Sequence, residues 1–148
     1  MRLHLIRHAS AEAAGEGGDA ARRLSDRGRR EALEAGRALR ELGDPIGAIL
    51  TSPLARARET AEQIAAAFNP PLPVEVRETL ACGASPQALL ETARAYPAGE
   101  VVLVGHMPDL GVLVAALTGE SMSFRPSSIC CLDLASDSTR LVWVRHPA

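Results

Sequence analysis

The sequence predicts an α/β protein: a three-layer sandwich with a mostly parallel central sheet, helices on both faces and a C-terminal hairpin. Three observations carry that expectation. Short apolar, β-branched runs alternate four times with amphipathic helical patterns. The helical patterns carry their own start or stop signals. The last two apolar runs instead follow one another across the short link Ala135-Ser136-Asp137-Ser138. At 148 residues the chain reads as one domain spanning residues 1–148, long enough to bury roughly 68–70% of the surface exposed when unfolded.

Residues 3–7 form the first apolar run, and the Gly-rich loop Gly15-Glu16-Gly17-Gly18-Asp19 follows. Ser25 is a plausible N-cap, after which Ala32, Ala35, Gly36, Leu39 and Leu42 recur at the spacing of one helix face. Gly43 and Pro45 stop that helix. Residues 46–51 read as a second strand, and Ser52-Pro53 as a hydroxyl N-cap with proline at the first helical position. That helix runs through Phe68 to the breaker Asn69-Pro70-Pro71. Residues 74–77 are a brief third strand, closed by Glu78, and Ser85-Pro86 opens a helix to about Tyr96. The most apolar run, residues 101–104, reads as a central buried strand. A helix over 108–118 ends at Gly119, and residues 128–134 and 139–145 supply the hairpin strands. The stretch 70–99 leaves no room for an inserted cap, so an open site is expected.

Composition excludes several classes. The net charge is −2 and aromatics are 3%, against the basic excess and stacking platforms of nucleic-acid binders. No run approaches the roughly 20 apolar residues that cross a bilayer, and the N-terminus is too short and interrupted for a signal peptide. Cys82, Cys130 and Cys131 form neither a zinc pattern nor an even disulfide framework. The expectation is a reduced, cytoplasmic protein with packed or idle thiols. All 16 basic residues are arginine, so a cationic anion site must use arginine or histidine.

The reactive side chains cluster by position. Ligands of open parallel sheets bind beyond the carboxyl ends of the strands. Arg7 and His8 end the first strand, Ser52 and Arg56 follow the second, Glu78 closes the third, and Gly105-His106 end the fourth. Arginine presents a planar, permanently charged fork that matches phosphate oxygens. Phosphoryl transfer consists mainly of positioning and of stabilising charge on those oxygens. A neutral imidazole can attack phosphorus, splitting hydrolysis into phosphorylation of the protein and its dephosphorylation by water. Helix starts after Ser52 and His106 would aim backbone N–H groups at the same place.

These segments carry a resemblance. Leu5-Ile6-Arg7-His8-Ala9 resembles the Arg-His-Gly signature of the histidine phosphatase (phosphoglycerate mutase-like) superfamily, with Ala9 where glycine is usual. Ser52-Pro53-Leu54-Ala55-Arg56-Ala57-Arg58-Glu59-Thr60 is similar to its Ser-x-x-x-Arg-Ala-x-x-Thr segment, and Val104-Gly105-His106-Met107-Pro108 to the segment holding its second histidine. Arg22-Arg23-Leu24-Ser25-Asp26-Arg27-Gly28 is similar to the Arg-x-Leu-Thr-x-x-Gly stretch of the small SixA-type phosphohistidine phosphatases. The resemblance implies a metal-independent phosphatase without cofactor, with His8 as nucleophile and Arg7, Arg56 and His106 around the phosphoryl group. It adds Arg22 as a further phosphate contact, with Arg23 able to take its place. Glu78 is the best-placed candidate acid for a leaving group, although its surroundings differ from those of many phosphoglycerate mutases. The methyl of Ala9 would narrow the phosphate's approach.

An imidazole leaving group, with a conjugate-acid pKa near 6.5, needs less acid help than an alkoxide. That favours a phosphorylated protein carrying phosphohistidine as substrate. A phosphomonoesterase for a small metabolite such as a sugar phosphate or nucleotide is the alternative, and a catalytically silent phosphate-binding adaptor a third. No nucleic-acid or membrane partner is expected, and a monomer is favoured. His4 reads as packing or solvent-facing rather than metal-binding, and His146 as exposed. Arg125 is either a substrate contact or a loop charge. No spacing suits a metal centre. Cysteine phosphatase chemistry is excluded because Ala88, Ser136 and Asp137 stand where its arginine would be, and the absence of lysine excludes a Walker-type loop.

Overall fold

A computed structural model describes residues 1–96, 99–135 and 137–148. Six strands and four helices follow one another as β1 (Arg2–Arg7), α1 (Asp26–Leu42), β2 (Ile46–Thr51), α2 (Ala55–Ala66), β3 (Val74–Val76), α3 (Pro86–Arg94), β4 (Glu100–Gly105), α4 (Asp109–Thr118), β5 (Ile129–Leu134) and β6 (Thr139–Arg145). Two short 3-10 turns, Asp19–Ala21 and Glu78–Leu80, were not anticipated.

The strands form one sheet in the order β3-β2-β4-β1-β5-β6. β3, β2, β4 and β1 pair in parallel, while β5 and β6 add the antiparallel hairpin. Ser136, in the predicted link of that hairpin, lies outside the described residues. β4 is central, as its unbroken apolar character requires: Val101, Val102, Leu103 and Val104 are all fully buried.

Alternate β residues feed two cores. Leu3, Leu5, Leu50 and Leu103 pack against Leu89 and Ala93 of α3 and Leu110 and Leu113 of α4. Ile6, Ile49, Val102 and Val104 face Ala35 and Leu39 of α1 and Ala57, Ala61 and Ile64 of α2. This is the three-layer sandwich read from the sequence. Cys130 and Cys131 are buried in β5, where burial pushes the thiols up to about 12 and about 11.

Local chemistry explains most boundaries. Ser25 caps α1 by accepting from the Gly28 amide at 3.1 Å, and Gly43 ends it in the left-handed region at φ 75°. Ser85 caps α3 through the Ala88 amide at 3.1 Å, with Pro86 at the first turn. The expected Ser52 cap is displaced. α2 begins at Ala55 with Leu54 at the N-cap position and no side-chain cap. The Ser52 hydroxyl instead accepts from the Leu54 amide at 3.2 Å and pairs with His106. Glu78 does not close β3, which ends at Val76; it opens the following 3-10 turn.

Gly28 is required by contact, not by φ. A Cβ built there would lie 1.9 Å from the Ser10 carbonyl oxygen, where α1 meets the chain leaving β1. Gly28→Ala is expected to destabilise the fold by about 1–3 kcal/mol, the usual range for overpacking. Chemical denaturation monitored by circular dichroism measures it, and an unchanged midpoint would contradict this contact.

Candidate active site

β1 and β4 run side by side with Arg7 paired to Gly105, and the His8 amide continues the ladder by donating to the Gly105 carbonyl at 3.1 Å. The two histidines that leave these strands are therefore neighbours. Their ring centroids are 5.3 Å apart and the planes tilt by 53°. Residues distant in the chain meet where strand order placed them.

The His8 ring is held in one tautomer. Its Nδ1 lies 2.8 Å from the Ala9 carbonyl oxygen. A carbonyl only accepts, so Nδ1 carries the proton and Nε2 keeps its lone pair. Burial, then His106, Arg56 and Arg7, push the ring down to about 4, while the Ala9 hydrogen bond opposes the shift. His106 is 2% exposed, and burial followed by Arg56 also brings it down to about 4. Its Nε2 is 2.7 Å from the Ser52 hydroxyl. Both imidazoles are neutral at pH 7.

The arginines are arranged around them. Arg7 donates to the Phe124 carbonyl at 2.9 Å. Arg56 is only 5% exposed and has no buried carboxylate partner. Its guanidinium donates to Asp19, to the backbone oxygen at 2.9 Å and to Oδ2 at 3.2 Å. Arg22 reaches the same Asp19 carboxylate at 3.3 Å and the Glu12 carbonyl at 2.7 Å. Arg23 turns outward into an ion pair with Glu59, which leaves Arg22 as the arginine on the Arg56 side. His106 Nδ1 and the Nε atoms of Arg7 and Arg56 are all buried, without a hydrogen-bond partner among the described residues. Buried polar atoms are normally satisfied; this concentration marks a place built to receive a polar ligand.

Several supports hold the constellation and escaped the sequence reading. Thr60 accepts from the Ala9 amide at 2.9 Å and donates to the Arg56 carbonyl at 2.7 Å, tying the end of β1 to α2. Glu31 takes the amide and hydroxyl of Ser10 at 2.9 and 3.0 Å. Ser127, fully buried, has φ 66°, and its amide donates to the Arg7 carbonyl at 3.0 Å. A non-glycine residue held in that region costs of order 1 kcal/mol or more, here at the back of Arg7 and His8. Asp19 is the most consequential omission, because its carboxylate sits on two arginines expected to hold phosphate.

Other expectations need correction. Ala9 is fully buried with Leu24 and Ala32, so its methyl fills the interior and does not narrow the approach to His8. The helix starts offer fewer donors than expected: Ser52 takes the Leu54 amide, Pro108 has none, and the Leu110 amide returns to the His106 carbonyl. Asp109, in the first turn of α4, instead accepts from the Gly83 and Ala84 amides at 2.8 and 3.2 Å. Arg125 donates to the Pro147 carbonyl at 3.3 Å. Glu78 is exposed, at the β3 edge of the sheet, and its carboxylate makes no hydrogen bond or ion pair among the described residues. His146 is exposed, with Nδ1 2.6 Å from the Ser128 hydroxyl.

Comparison with known proteins gives an independent finding. A family model of the histidine phosphatase superfamily (branch 1) matches residues 3–81. The chain is 30% identical over 146 residues to a phosphohistidine phosphatase SixA homolog from Haemophilus influenzae, covering 89% of this chain and 87% of that one. It is 37% identical over 149 residues to an uncharacterised protein of a Picosynechococcus species, covering 95% and 88%. It superposes on the protein histidine phosphatase SixA complexed with tungstate with a TM-score of 0.87, at 27% identity, over 99% of this chain and 97% of that one.

The buried imidazoles make stability depend on acid. Above about pH 7 both rings are neutral in the folded and unfolded chain. Between the unfolded value near 6.5 and the folded values of about 4, only the unfolded chain takes up protons. The contribution of these two rings to stability should therefore fall as pH drops through that window and level off below it. Thermal unfolding across pH 4–7 measures this, and His8→Ala should show a shallower fall than the parent.

Proposed function

Because the chain belongs to the histidine phosphatase superfamily and is a phosphatase, we propose that it dephosphorylates phosphohistidine through a covalent phosphoenzyme at His8. The observation that carries this reading is the state of the His8 ring: neutral, fixed in one tautomer by Ala9, with Nε2 unprotonated beside Arg7, Arg56 and His106. The whole chain, residues 1–148, acts as one catalytic domain without a cap.

The chemistry follows from the donors. Phosphate enters with its oxygens on Arg7, Arg56 and Arg22, and Asp19 leaves Arg56 as it does so. His8 Nε2 forms a bond to phosphorus as the bond from phosphorus to the leaving group breaks in line. The guanidinium forks and His106 stabilise the charge spread over the equatorial oxygens. Water then attacks the phosphohistidine, inorganic phosphate departs, and His8 Nε2 recovers its lone pair. Arginines supply the charge for both steps. A protein histidine phosphatase of this fold is known complexed with tungstate, a tetrahedral oxyanion, which supports a phosphoryl-binding role for this chain.

Substrate class turns on the leaving group. An alkoxide requires an acid in the transition state; a histidine leaving group departs as imidazole with far less help. Glu78, the one carboxylate considered for that task, is exposed and engaged with nothing at the site. The name carried by the Haemophilus relative points the same way. The partner is then a phosphorylated protein whose histidine fits an open rim.

Incubating the purified protein with a phosphohistidine protein and, separately, with a small chromogenic phosphoester tests the reading. Phosphohistidine should turn over faster, with an acid-labile phosphoenzyme that maps to His8; His8→Ala should lose turnover and phosphoenzyme together. Substantial turnover by His8→Ala would overturn the nucleophile, and faster ester hydrolysis would overturn the substrate class.

Asp19 gives a second expectation. Removing its charge with Asp19→Asn frees Arg56 and Arg22 for an external anion. Inhibition by inorganic phosphate should strengthen about 2- to 5-fold, the scale of one partly exposed ion pair. Steady-state inhibition constants measure it, and weaker inhibition would show that Asp19 positions the arginines rather than competing for them.

A further inference from the structure

A second group of chemistry-bearing side chains lies at the opposite end of the sheet, away from His8. His4 is on β1, Asp44 in the link between α1 and β2, and Glu100 is the first residue of β4. The parallel sheet gathers these starts at one rim. One ligand atom from each of the three residues lies within 4.8 Å of the others. The separations in sequence, 40 residues from His4 to Asp44 and 56 from Asp44 to Glu100, explain why spacing revealed nothing. His4 does pack, against Trp143 at 6.0 Å between ring centroids, but packing leaves its nitrogens unaccounted for.

Those nitrogens are the decisive observation. His4 is 0% exposed, and among the described residues neither Nδ1 nor Nε2 has a hydrogen-bond partner. Nε2 is 3.4 Å from Asp44 Oδ2 without hydrogen-bond geometry. Glu100 Oε1 is also buried, without a partner among the described residues. A buried imidazole and a buried carboxylate oxygen are thus left unsatisfied at one place, which is costly unless something occupies it.

We propose that His4, Asp44 and Glu100 form a binding site for one divalent transition-metal ion of the Zn2+ class, with water completing its shell. One imidazole and two carboxylates are a ligand set for such an ion. Bonds of about 2.0–2.1 Å in a tetrahedron separate ligand atoms by about 3.3 Å, close to the 3.4 Å between His4 Nε2 and Asp44 Oδ2. The ion's two charges balance the two carboxylates. Arg2, which donates to both oxygens of Asp44 at 3.2 and 3.4 Å, is the competing cation. A carboxylate oxygen has two acceptor positions, so Asp44 can keep Arg2 while giving its other lone pair to the metal, and Arg2 then orients that ligand.

The site is structural. His4 and His8 are four residues apart on an extended strand, about 13 Å, so the ion does not reach the reacting phosphoryl group. It would join β1, the α1–β2 link and the start of β4, and the proposal stands whatever the substrate at His8.

Zn2+ titrated into chelator-treated full-length protein, by calorimetry and by thermal unfolding, tests the site. Wild type and His8→Ala should each take up one equivalent that Asp44→Asn and Glu100→Gln lose or bind at least ~10-fold more weakly. A hundredfold excess over Kd should raise the wild-type unfolding midpoint by about 5 °C or more. His8→Ala separates this site from the His8–His106 pair, and the two carboxylate variants avoid disturbing the buried imidazole. Absence of uptake by wild type up to ~1 mM Zn2+, or equal uptake by wild type and both carboxylate variants, would overturn the proposal.

Discussion

The alignment of β1 with β4 is the constraint on which everything else depends. Leu3 pairs with Val101 and Arg7 with Gly105, and the His8 amide closes the ladder on the Gly105 carbonyl. A strand's side chains alternate between faces, so a slip of one residue would send Leu3 and Leu5 into the wrong core. The packing that excludes such a slip also fixes the distance between two imidazoles almost a hundred residues apart. The geometry of the His8–His106 pair is a by-product of hydrophobic register, and the Ser127 backbone secures it from the β5 side.

Charge and burial then work against each other in a useful way. Arg56 is almost wholly inside, and a guanidinium there, with Arg7 nearby, makes a protonated imidazole unfavourable. Burial first, and then the same charges that attract an anion, keep His8 and His106 neutral. It does not leave the cations bare: Asp19, from the Gly-rich loop, lies across Arg56 and Arg22. An exposed carboxylate of this kind limits the cost of a buried positive cluster.

Most of the fold was legible because its boundaries are written in local chemistry. Ser25, Gly43, Ser85, Pro86 and Gly119 signal helix ends through caps, φ and missing donors, and the structure uses each as expected. His8 and His106 were legible because strand ends in a parallel sheet converge. Ser52 misled because a hydroxyl at a strand end had two employments, and the imidazole beside it took precedence over capping. Glu78 misled because a strand end and a following 3-10 turn look alike in sequence. Asp19, Ser127 and the His4–Asp44–Glu100 group were hidden for a different reason. Each depends on a loop's path or on pairing across the chain, and no local pattern encodes either.

The strand order has a consequence for how the molecule is made. β1 is synthesised first, yet its two neighbours are β4, residues 100–105, and β5, residues 129–134. Until those residues are made, β1 has neither neighbour, and His8 beyond its end has no partner ring. The meeting of the two imidazoles therefore waits for β4, and the enclosure of β1 on both sides waits for β5.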